Sequence, residues 1–507
     1  MDGCGYTKIA DDRCCKMKTL LRTTFLAFFF FLYLLSPGIF HADAVKSLRA
    51  VEDSTDLSEA DTETDGGYGN PCAEFSFRGF IEFQAFFNTG NDLDFKDANK
   101  KNEIRNRLEI KYGTESFFLF TVSDLYLSQT YLNDNVRDDY VYAKERGIAR
   151  NLRISSRGSE LCFNELYLNY RAENFRLRIG NQIYGWGTAD AFNPTSYFNP
   201  YDLRELIFRD DDEEKAGVPS ISGMFFMGEC TLETVFVPFH IPTIMAPDGN
   251  FWSLNMDALS VPVVFDDPQQ LDADICNFGY GVRLSTVSGG LDISVSGYHG
   301  PDRDPVFLPY GITGVLPDLA ILVKPETYVV SMFGLDLSAT LGDFVVQFEA
   351  VYSPDKAGIV EPETFILPFE VDRSPCISYA TGFNYFIPLD RILAGHAGES
   401  VFTFEWFQSR YLDNDLYAPF LSDIITCKFE DSYFDGHITT EIRGLFDTRH
   451  GGKIFWPEIG YDFQNGLSLT LSYAGIWGTE GSTFENTSLI HFFKDNDIVM
   501  GTVRYEY

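Results

Sequence analysis

Arginine recurs at alternate positions in two apolar segments of the chain, a spacing that can build a charged surface. The four residues are Arg105 and Arg107 in NEIRNRLEIKYG (102–113), and Arg176 and Arg178 in FRLRIGNQ (175–182). Side chains alternate sides along a β-strand, so each segment would carry its arginines on one face and its apolar residues on the other. A helix would spread these charges around its circumference. Because an arginine facing lipid at the bilayer midplane costs about 2–4 kcal/mol, we expect these faces to line the bore of a β-barrel.

A long polar insertion follows the second arginine segment. It contains Trp186-Gly187 and the pairs Asn193-Pro194 and Asn199-Pro200, which interrupt regular structure, and then an acidic run. The run comprises Asp210, Asp211, Asp212, Glu213 and Glu214. If it folds inward, it would face the arginines and form a constriction with a transverse field, because lumenal charges set ion selectivity. We therefore predict that the four arginines and the acidic run line a pore.

The same residues also allow a purely structural interpretation. The arginines would then pair with Glu82, Glu109 and Glu165 and hold the barrel interior together, while residues 210–214 would form a solvated loop tip. The sequence leaves both interpretations open. The net charge of −35 indicates a preference for cations if a pore exists.

From residue 75 onward, apolar and polar residues alternate in segment after segment. These segments give 18 candidate strands, joined alternately by short turns such as 463–466 and long polar connections such as 128–157, 240–275 and 300–325. After the N-terminal apolar segment, no run of about 20 apolar residues could form a membrane-spanning helix. We predict an all-β transmembrane antiparallel β-barrel of 16–18 strands over residues 72–507, with short periplasmic turns and long extracellular loops.

The N-terminal residues are typical of a secretory signal. Lys16, Lys18 and Arg22 precede the apolar core FLAFFFFLYLL (25–35), and Ala42-Asp43-Ala44 fits a cleavage site. We predict a signal peptide over 1–44, with an uncleaved anchor as the alternative. Residues 45–71 are acidic and almost devoid of apolar residues, which predicts a disordered tether.

The last strand and the composition point to the outer membrane of a Gram-negative bacterium. Val503, Tyr505 and Tyr507 share an apolar face in the closing segment, which looks like the final strand of bacterial outer-membrane proteins. The terminal aromatic residue of such strands is part of the signal that the barrel-assembly machinery recognises, so Tyr507 predicts that partner. Aromatic residues make up 16% of the chain, as expected for girdles at a lipid interface. The acidic balance argues against nucleic acid as a partner.

Catalytic and metal-binding patterns are absent from the sequence. The six cysteines beyond residue 44 form no CxxC pair and the histidines are scattered, which argues against zinc and redox chemistry. No GxSxG motif indicates a nucleophilic serine. We predict no enzyme, no cofactor and no metal, and we expect unpaired or structural cysteines, although export permits disulfides.

The polar insertion and its flanks resemble one group of bacterial proteins. The pattern is Gly180-x-Gln182-x-x-x-Trp186-Gly187, then Asn199-Pro200-x-Asp202, Lys215, Val218-Pro219 and Leu232-Glu233. It is similar to the central pattern of a family of porin-like Gram-negative outer-membrane β-barrels of unknown function. The resemblance covers about 65 residues and implies a barrel, but it implies no catalytic residues.

Together these features predict a porin-like channel for passive or facilitated diffusion of small solutes through a charged lumen, because a barrel of this size can enclose water. The main alternative is a non-conducting binding, adhesin or structural barrel. An outer-membrane hydrolase is the third reading, and a soluble secreted β-protein is the alternative at the level of the fold. The solute and the oligomeric state stay open.

Overall fold

The computed structural model describes most of the chain from residue 73 onward. The described ranges are 73–90, 98–128, 147–156, 158–209, 215–246, 250–253, 263–314, 319–361, 367–389, 400–413, 415–417, 422–479 and 488–507. The predicted signal peptide (1–44), the predicted tether (45–71) and the acidic run 210–214 lie outside these residues.

Eighteen antiparallel strands form a closed barrel. They are β1 Glu74–Asn88, β2 Asn99–Gly113, β3 Phe117–Ser128, β4 Ser159–Ala172, β5 Phe175–Gln182, β6 Val218–Met227, β7 Cys230–Val237, β8 Gly279–Ser288, β9 Leu291–Pro301, β10 Val329–Leu341, β11 Phe344–Ile359, β12 Val371–Ile387, β13 Ser400–Tyr411, β14 Asp423–Tyr433, β15 Ile438–Asp447, β16 Lys453–Asp462, β17 Leu467–Trp477 and β18 Ile498–Glu506. Each strand pairs with its successor, and β18 pairs with β1, with Arg504 opposite Glu82. The all-β barrel and its strand number are thereby confirmed.

The connections differ in length at the two ends of the barrel. At one end, here called the short-turn rim, most hairpins close within a few residues, as at 173–174, 228–229 and 342–343. At the other end, the long-loop rim, the connections are longer, as at 183–217 and 238–278. The connection 388–399 is an exception, because it is long and belongs to the short-turn rim.

The loops contain secondary structure of their own. Val263–Phe265, Val306–Thr313 and Ala320–Glu326 form a three-stranded sheet, and Asp202–Leu203 pairs in parallel with Ile244–Met245. The remaining short strands are Gly147–Ile148 and Arg153–Ser156, and the 3₁₀ helices are Ile275–Asn277 and Leu489–Phe493. Among the described helices, none has the length and apolar character needed to cross a membrane.

The outward face of the barrel is apolar and aromatic. On β1, Phe75, Phe77, Ile81 and Phe83 are exposed, whereas the intervening Glu82 is buried. This alternation follows from the two-residue period of a strand. A closed barrel also leaves no unpaired strand edge, so this surface suits contact with lipid.

The apolar core lies inside the barrel rather than between two layers. One cluster packs Phe208 and Trp252 against wall residues such as Trp456 and Ile498. A second cluster packs Trp186 and other aromatic residues between β7 and β11; its further aromatic members are Tyr184, Tyr197, Phe198 and Tyr298. Both clusters include residues from the connection 183–217, so this connection is part of the interior.

The cysteines show more than one state. Cys162, Cys230, Cys376 and Cys427 are free, and Cys276 is disulfide-bonded. The first four cysteines are thus unpaired, as expected. The disulfide at Cys276 is of the kind that export permits.

Candidate functional site

The described part of the connection between β5 and β6, residues 183–209 and 215–217, crosses the inside of the barrel and is called the lumenal loop below. Within it, Trp186 Nε1 donates a hydrogen bond to Glu233 on β7 at 2.7 Å, and Glu205 accepts a hydrogen bond from Lys101 on β2 at 2.8 Å. Its Phe208 ring lies 5.0 Å from the ring of Trp456 on β16. A segment that touches inward side chains on well-separated strands of a closed barrel must lie within it.

The entrance to the lumenal loop is fixed by the residues that carried the sequence resemblance. A Cβ at Gly180, where φ is 141°, would lie 2.2 Å from the Leu166 carbonyl oxygen, so only glycine lets β5 approach β4 this closely. Gln182 Nε2 donates to the Ser220 hydroxyl at 3.0 Å, and Gln182 Oε1 accepts from Ser222 at 2.8 Å. These contacts tie the end of β5 to β6.

Asn199 joins both ends of the lumenal loop. Its Oδ1 accepts from the Tyr184 amide at 2.8 Å, and its Nδ2 donates to the carbonyls of Gln182 at 3.0 Å and Ala216 at 2.9 Å. The side chain is fully buried. It therefore supplies partners for three main-chain groups at the two ends of the lumenal loop.

The Trp186-Gly187 pair forms the next bend. Gly187 has φ of 102°, and a Cβ there would lie 2.2 Å from the Asn193 side chain. Asn193 Nδ2 in turn donates to the Trp186 carbonyl at 2.7 Å. The motif residues thus shape the lumenal loop.

Two glutamates on the opposite wall hold the lumenal loop by its main chain. Glu405 on β13 accepts from the amides of Asp190 at 2.8 Å, Ala191 at 3.1 Å and Phe192 at 2.7 Å. It is 3% exposed. Three N–H donors on one buried carboxylate satisfy a charge that would otherwise be costly to bury.

Glu349 on β11 is the second wall glutamate. One of its oxygens accepts from the amides of Thr188 and Ala189, and the other lies 3.0 Å from the Thr195 hydroxyl. That hydroxyl is also 2.7 Å from Asp336 on β10. The carboxylates of Asp336, Glu349 and Glu405 all face the lumen on β10–β13. This part of the wall holds the lumenal loop and is called the seat of the loop below.

A buried ion-pair network holds the returning half of the lumenal loop. Asp202 Oδ2 accepts from Arg153 at 2.8 Å and Arg204 at 2.7 Å, and it lies 3.4 Å from Arg209. Arg204 also pairs with Glu160 on β4 at 2.8 Å. Burial opposes the charge of Asp202, but the three guanidinium groups outweigh it and hold the pKa of this carboxyl well below its usual range.

The predicted pore residues Arg105 and Arg107 are adjacent inward residues of β2. Both bind Asp124 of β3, with Arg105 Nε at 3.3 Å, Arg107 Nε at 2.9 Å and Arg107 Nη2 at 2.7 Å. Arg105 is 2% exposed and also lies over the Tyr126 ring. The structural interpretation of the sequence expected these arginines to pair with glutamates. In the structure, both arginines share the carboxylate of Asp124.

Arg176 and Arg178 lie on β5, near the short-turn rim, and are half-buried. Arg178 stacks over the Tyr167 ring at 5.0 Å, and its Nε donates to Asn169 at 3.3 Å. Arg176 lies over the Phe226 ring at 5.7 Å. Within the described part of the chain, Arg178 has no carboxylate within ion-pair distance. The structure therefore separates the four arginines into two unlike pairs, and their role in lining a pore stays a prediction.

Sequence reasoning did not identify Asp124, Asp336, Glu349 and Glu405. Asp124 and Asp336 are the only charged residues of β3 and β10, and Glu349 and Glu405 each lie in a run of apolar and neutral residues, as Glu405 does in FTFEWF (402–407). A lone acid in such a strand is costly unless it is satisfied. That signal was available, but the donors that satisfy these acids come from distant parts of the chain.

No group of three or more potential metal ligands occurs among the residues that the structure describes. The expectation that the protein needs no metal and no cofactor stays a prediction. His240, in the loop after β7, accepts from the Leu271 amide at 3.2 Å. Burial and the nearby Arg150 lower the pKa of His240 to about 4, so its ring is neutral near pH 7.

The model of the family described as "Protein of unknown function (DUF1302)" matches residues 55–406. The chain belongs to this family. The match spans the lumenal loop and β1–β12. None of the curated proteins matches the chain.

Several solved outer-membrane proteins have a similar fold. OccAB3 of Acinetobacter baumannii is 10% identical, with 86% of this chain and 99% of that chain covered and a TM-score of 0.45. OccK9 (OpdG) of Pseudomonas aeruginosa is 8% identical, with 86% and 98% covered and a TM-score of 0.45. OmpF of Salmonella typhi, in complex with daunomycin, is 8% identical, with 85% and 97% covered and a TM-score of 0.39.

The physical character of the barrel places it in the bacterial outer membrane. All 18 strands are paired into a closed ring, so no backbone edge is exposed to lipid. The outward side chains are apolar and aromatic, and the inward ones include buried charges. The protein is an outer-membrane β-barrel surrounded by lipid.

Proposed function

We propose that this protein is an outer-membrane channel for passive or facilitated diffusion of small solutes, narrowed by the lumenal loop. The observation that carries the proposal is the exposure of charged inward side chains. Lys428 and Glu430 on β14 are 30% and 40% exposed, although they point into the barrel. Inward side chains can be exposed only where water enters, so the interior near the short-turn rim is wet.

The pore-lining residues belong to this proposal. Arg105, Arg107, Arg176 and Arg178 all occupy inward positions, and Arg178 combines partial exposure with an oriented guanidinium group. Residues 210–214 continue the lumenal loop in sequence and would add five acidic groups to it. Opposed charges across a narrow lumen would select solutes by charge.

The direct test is conductance of the purified, folded barrel in planar lipid bilayers. Discrete channels are expected, together with a measurable cation-to-anion permeability ratio. Glu405→Gln leaves one acceptor oxygen where three amides converge, and it should raise the conductance by loosening the constriction. Asp292→Asn, outside the seat of the loop, is the matched control. A folded barrel without conductance, in the native form and in Glu405→Gln, would rule out the channel.

A binding role is the second candidate, and one observation favours it. The three-stranded loop sheet exposes Ile312 at 58% and Val264 at 41%, one apolar residue on each of its two faces. Exposed apolar residues of this kind occur at interaction sites. A non-conducting barrel that binds a soluble partner, with binding lost in Ile312→Asp, would support this candidate instead.

We assign no enzymatic step to the protein. Lipase and protease assays on the folded barrel check this, and turnover above that of a heat-unfolded sample would contradict it.

We also propose 1–44 as a signal peptide, 45–71 as a tether and 72–507 as the barrel. N-terminal sequencing of the exported protein tests the first boundary.

The final strand is proposed as the contact for the barrel-assembly machinery. Tyr507 closes the barrel by exchanging main-chain hydrogen bonds with Gly79 at 2.9 and 3.1 Å, and its side chain is 44% exposed. Tyr507→Ala should lower the yield of folded barrel in cells. Unchanged yield would contradict this role.

A further inference from the structure

Three arginines lie side by side on inward positions of the β4–β5 hairpin, near the short-turn rim. Arg171 on β4 is directly opposite Arg176 on β5, and Arg178 is the next inward residue of β5. Like charges directly opposite each other on neighbouring strands destabilise a sheet. Within the described part of the chain, neither Arg171 nor Arg178 has a carboxylate within ion-pair distance. An anion bound in the lumen at this place would offset the repulsion, because guanidinium groups pair strongly with carboxylates.

Arg178 is held in place while the end of its side chain stays available. Its guanidinium group lies over the Tyr167 ring at 5.0 Å, and its Nε donates to Asn169 at 3.3 Å. Tyr167 and Asn169 are both buried, so these two supports are themselves fixed. The two Nη atoms of Arg178 have no hydrogen-bond partner among the described residues. A planar fork held in this way fits both oxygens of a carboxylate.

The acidic residues on the same wall already have partners. Glu233 on β7 and Glu165 on β4 each accept a hydrogen bond from the lumenal loop, at 2.7 and 3.4 Å. Glu109 on β2 pairs with Arg78 at 3.0 Å. An incoming anion can therefore pair with Arg178 without breaking an existing ion pair.

Aromatic rings continue the wall beside Arg178. Phe120 on β3 is directly opposite Tyr167, with the ring centroids 5.3 Å apart, and Phe118 is the next inward residue of β3. Both phenylalanines are partly exposed. Lys111 on β2 lies over the Phe118 ring at 5.0 Å. Partly exposed rings on an inward face offer a surface on which a flat aromatic group can stack.

We propose that these arginines and rings form a binding subsite for aromatic carboxylates on the lumenal wall, here called the aromatic-acid subsite. The carboxylate of the solute pairs with the Nη atoms of Arg178, and Arg171 and Arg176 add positive charge beside it. The aromatic ring of the solute packs against Phe120. A neutral aromatic compound lacks the ionic contact, and a saturated acid lacks the ring contact. The subsite rests on the channel proposed above, since the solute reaches it through the lumen.

Binding of 2-naphthoate to the folded, lipid-embedded barrel tests the subsite at equilibrium, with the fluorescence of the ligand as the signal. Saturable binding is expected below about 10 mM. Two competitors separate the two contacts. Neutral 2-naphthamide should bind about tenfold or more weakly, because it lacks the charge. Decahydro-2-naphthoate, which keeps the charge but has no aromatic ring, should bind about threefold or more weakly.

Substitutions assign the two contacts to residues. Arg178→Gln should weaken 2-naphthoate binding about tenfold or more. Phe120→Leu should weaken it about threefold and leave the affinity for the saturated acid within about twofold. Arg443→Gln on β15 is the matched control, because Arg443 also lies over a ring, that of Trp456 at 4.6 Å, but is paired with Glu441. This control should bind 2-naphthoate within about twofold of the native affinity.

Two results would overturn the aromatic-acid subsite. One is a folded native barrel that shows no saturable binding of 2-naphthoate, and the other is an Arg178→Gln variant that binds it as tightly as the native protein. The first result requires no variant, so it decides the matter even if a substitution prevents folding. Conductance without binding would remove the subsite and leave the channel, whereas binding without conductance would contradict the channel alone.

Discussion

The two arginine pairs have the same spacing in the sequence but different surroundings in the barrel. Arg105 and Arg107 on β2 are bound to one buried carboxylate, Asp124, at 2.7–3.3 Å. Arg176 and Arg178 on β5 are half-buried and lie over aromatic rings. The β2 pair is thus bound to a buried carboxylate, whereas the β5 pair is more exposed, and Arg178 combines its ring contact with a hydrogen bond to Asn169.

The position of the lumenal loop explains this difference. Arg209 of the loop and Arg105 of β2 both lie over the ring of Tyr126, so the loop covers the β2 pair. The β5 pair lies nearer the short-turn rim, and both of its arginines are partly exposed. We therefore expect the β2 pair to act on stability and the β5 pair on the passage of ions.

Removing Asp124 should produce the largest effect. Asp124→Ala leaves the buried Arg105 and the partly buried Arg107 without their shared carboxylate, and loss of one partner of a buried pair costs about 3–5 kcal/mol. The free energy of unfolding in urea, measured on the lipid-embedded barrel, should fall by this amount.

The control is Glu430→Ala, which breaks the partly exposed pair with Lys428 at 3.2 Å and should cost less than about 1 kcal/mol. If Asp124→Ala were as mild as this control, Asp124 would not be the residue that holds the β2 pair, and the two arginine pairs would not differ in the way described.

The barrel could be predicted from the sequence because its main determinants are local. A two-residue alternation places each side chain on one face regardless of the rest of the chain, and Leu341-Gly342-Asp343 marks a turn by itself. The candidate strands therefore had the right number.

The seat of the loop could not be predicted, because its contacts join distant positions. Glu405 receives amides more than 200 residues earlier in the chain, from Asp190 to Phe192. No local pattern reveals which carboxylate faces which amide across a lumen. The motif around Trp186 and Asn199 was visible in the sequence, but its purpose, to bend and tie the loop, required the contacts.

Acidification should release a third arginine group, which is held by a carboxylate in the same way as the β2 pair. Asp202 binds Arg153, Arg204 and Arg209, and its pKa in the folded protein is below the unfolded value of about 3.9. Its stabilising contribution is present above that value and is lost as the pH falls below about 4. Exchange protection of residues 198–208 should drop by about 1 kcal/mol between about pH 6 and about pH 3. In Asp202→Asn the drop should shrink and protection should already be lower at about pH 6, whereas an unchanged pH profile would exclude Asp202 as its cause.

Neutralising Arg178 should change ion selectivity and leave stability nearly intact. Arg178→Gln removes a charge that faces water, and one charge near a permeating ion contributes on the order of 1 kcal/mol at the effective dielectric of such sites. The cation-to-anion permeability ratio, obtained from reversal potentials in a salt gradient, should rise about fivefold. Arg105→Gln is the matched variant from the other pair, and it should lower stability more than it changes this ratio. Equal shifts in reversal potential for both variants would show that the two pairs do not differ in function.

The smallest effect is expected when Arg178 keeps its charge but loses its planar group. Lysine in Arg178→Lys cannot lie flat on Tyr167 and donate to Asn169 from a fixed fork, so the charge becomes mobile. If charge alone sets selectivity, the permeability ratio should stay within about twofold of the native value. A shift as large as that of Arg178→Gln would mean that the orientation imposed by Tyr167 matters more than the charge. Tyr167→Leu, which removes the ring and keeps the arginine, should then give the same shift, and this variant distinguishes an oriented guanidinium group from a simple positive charge.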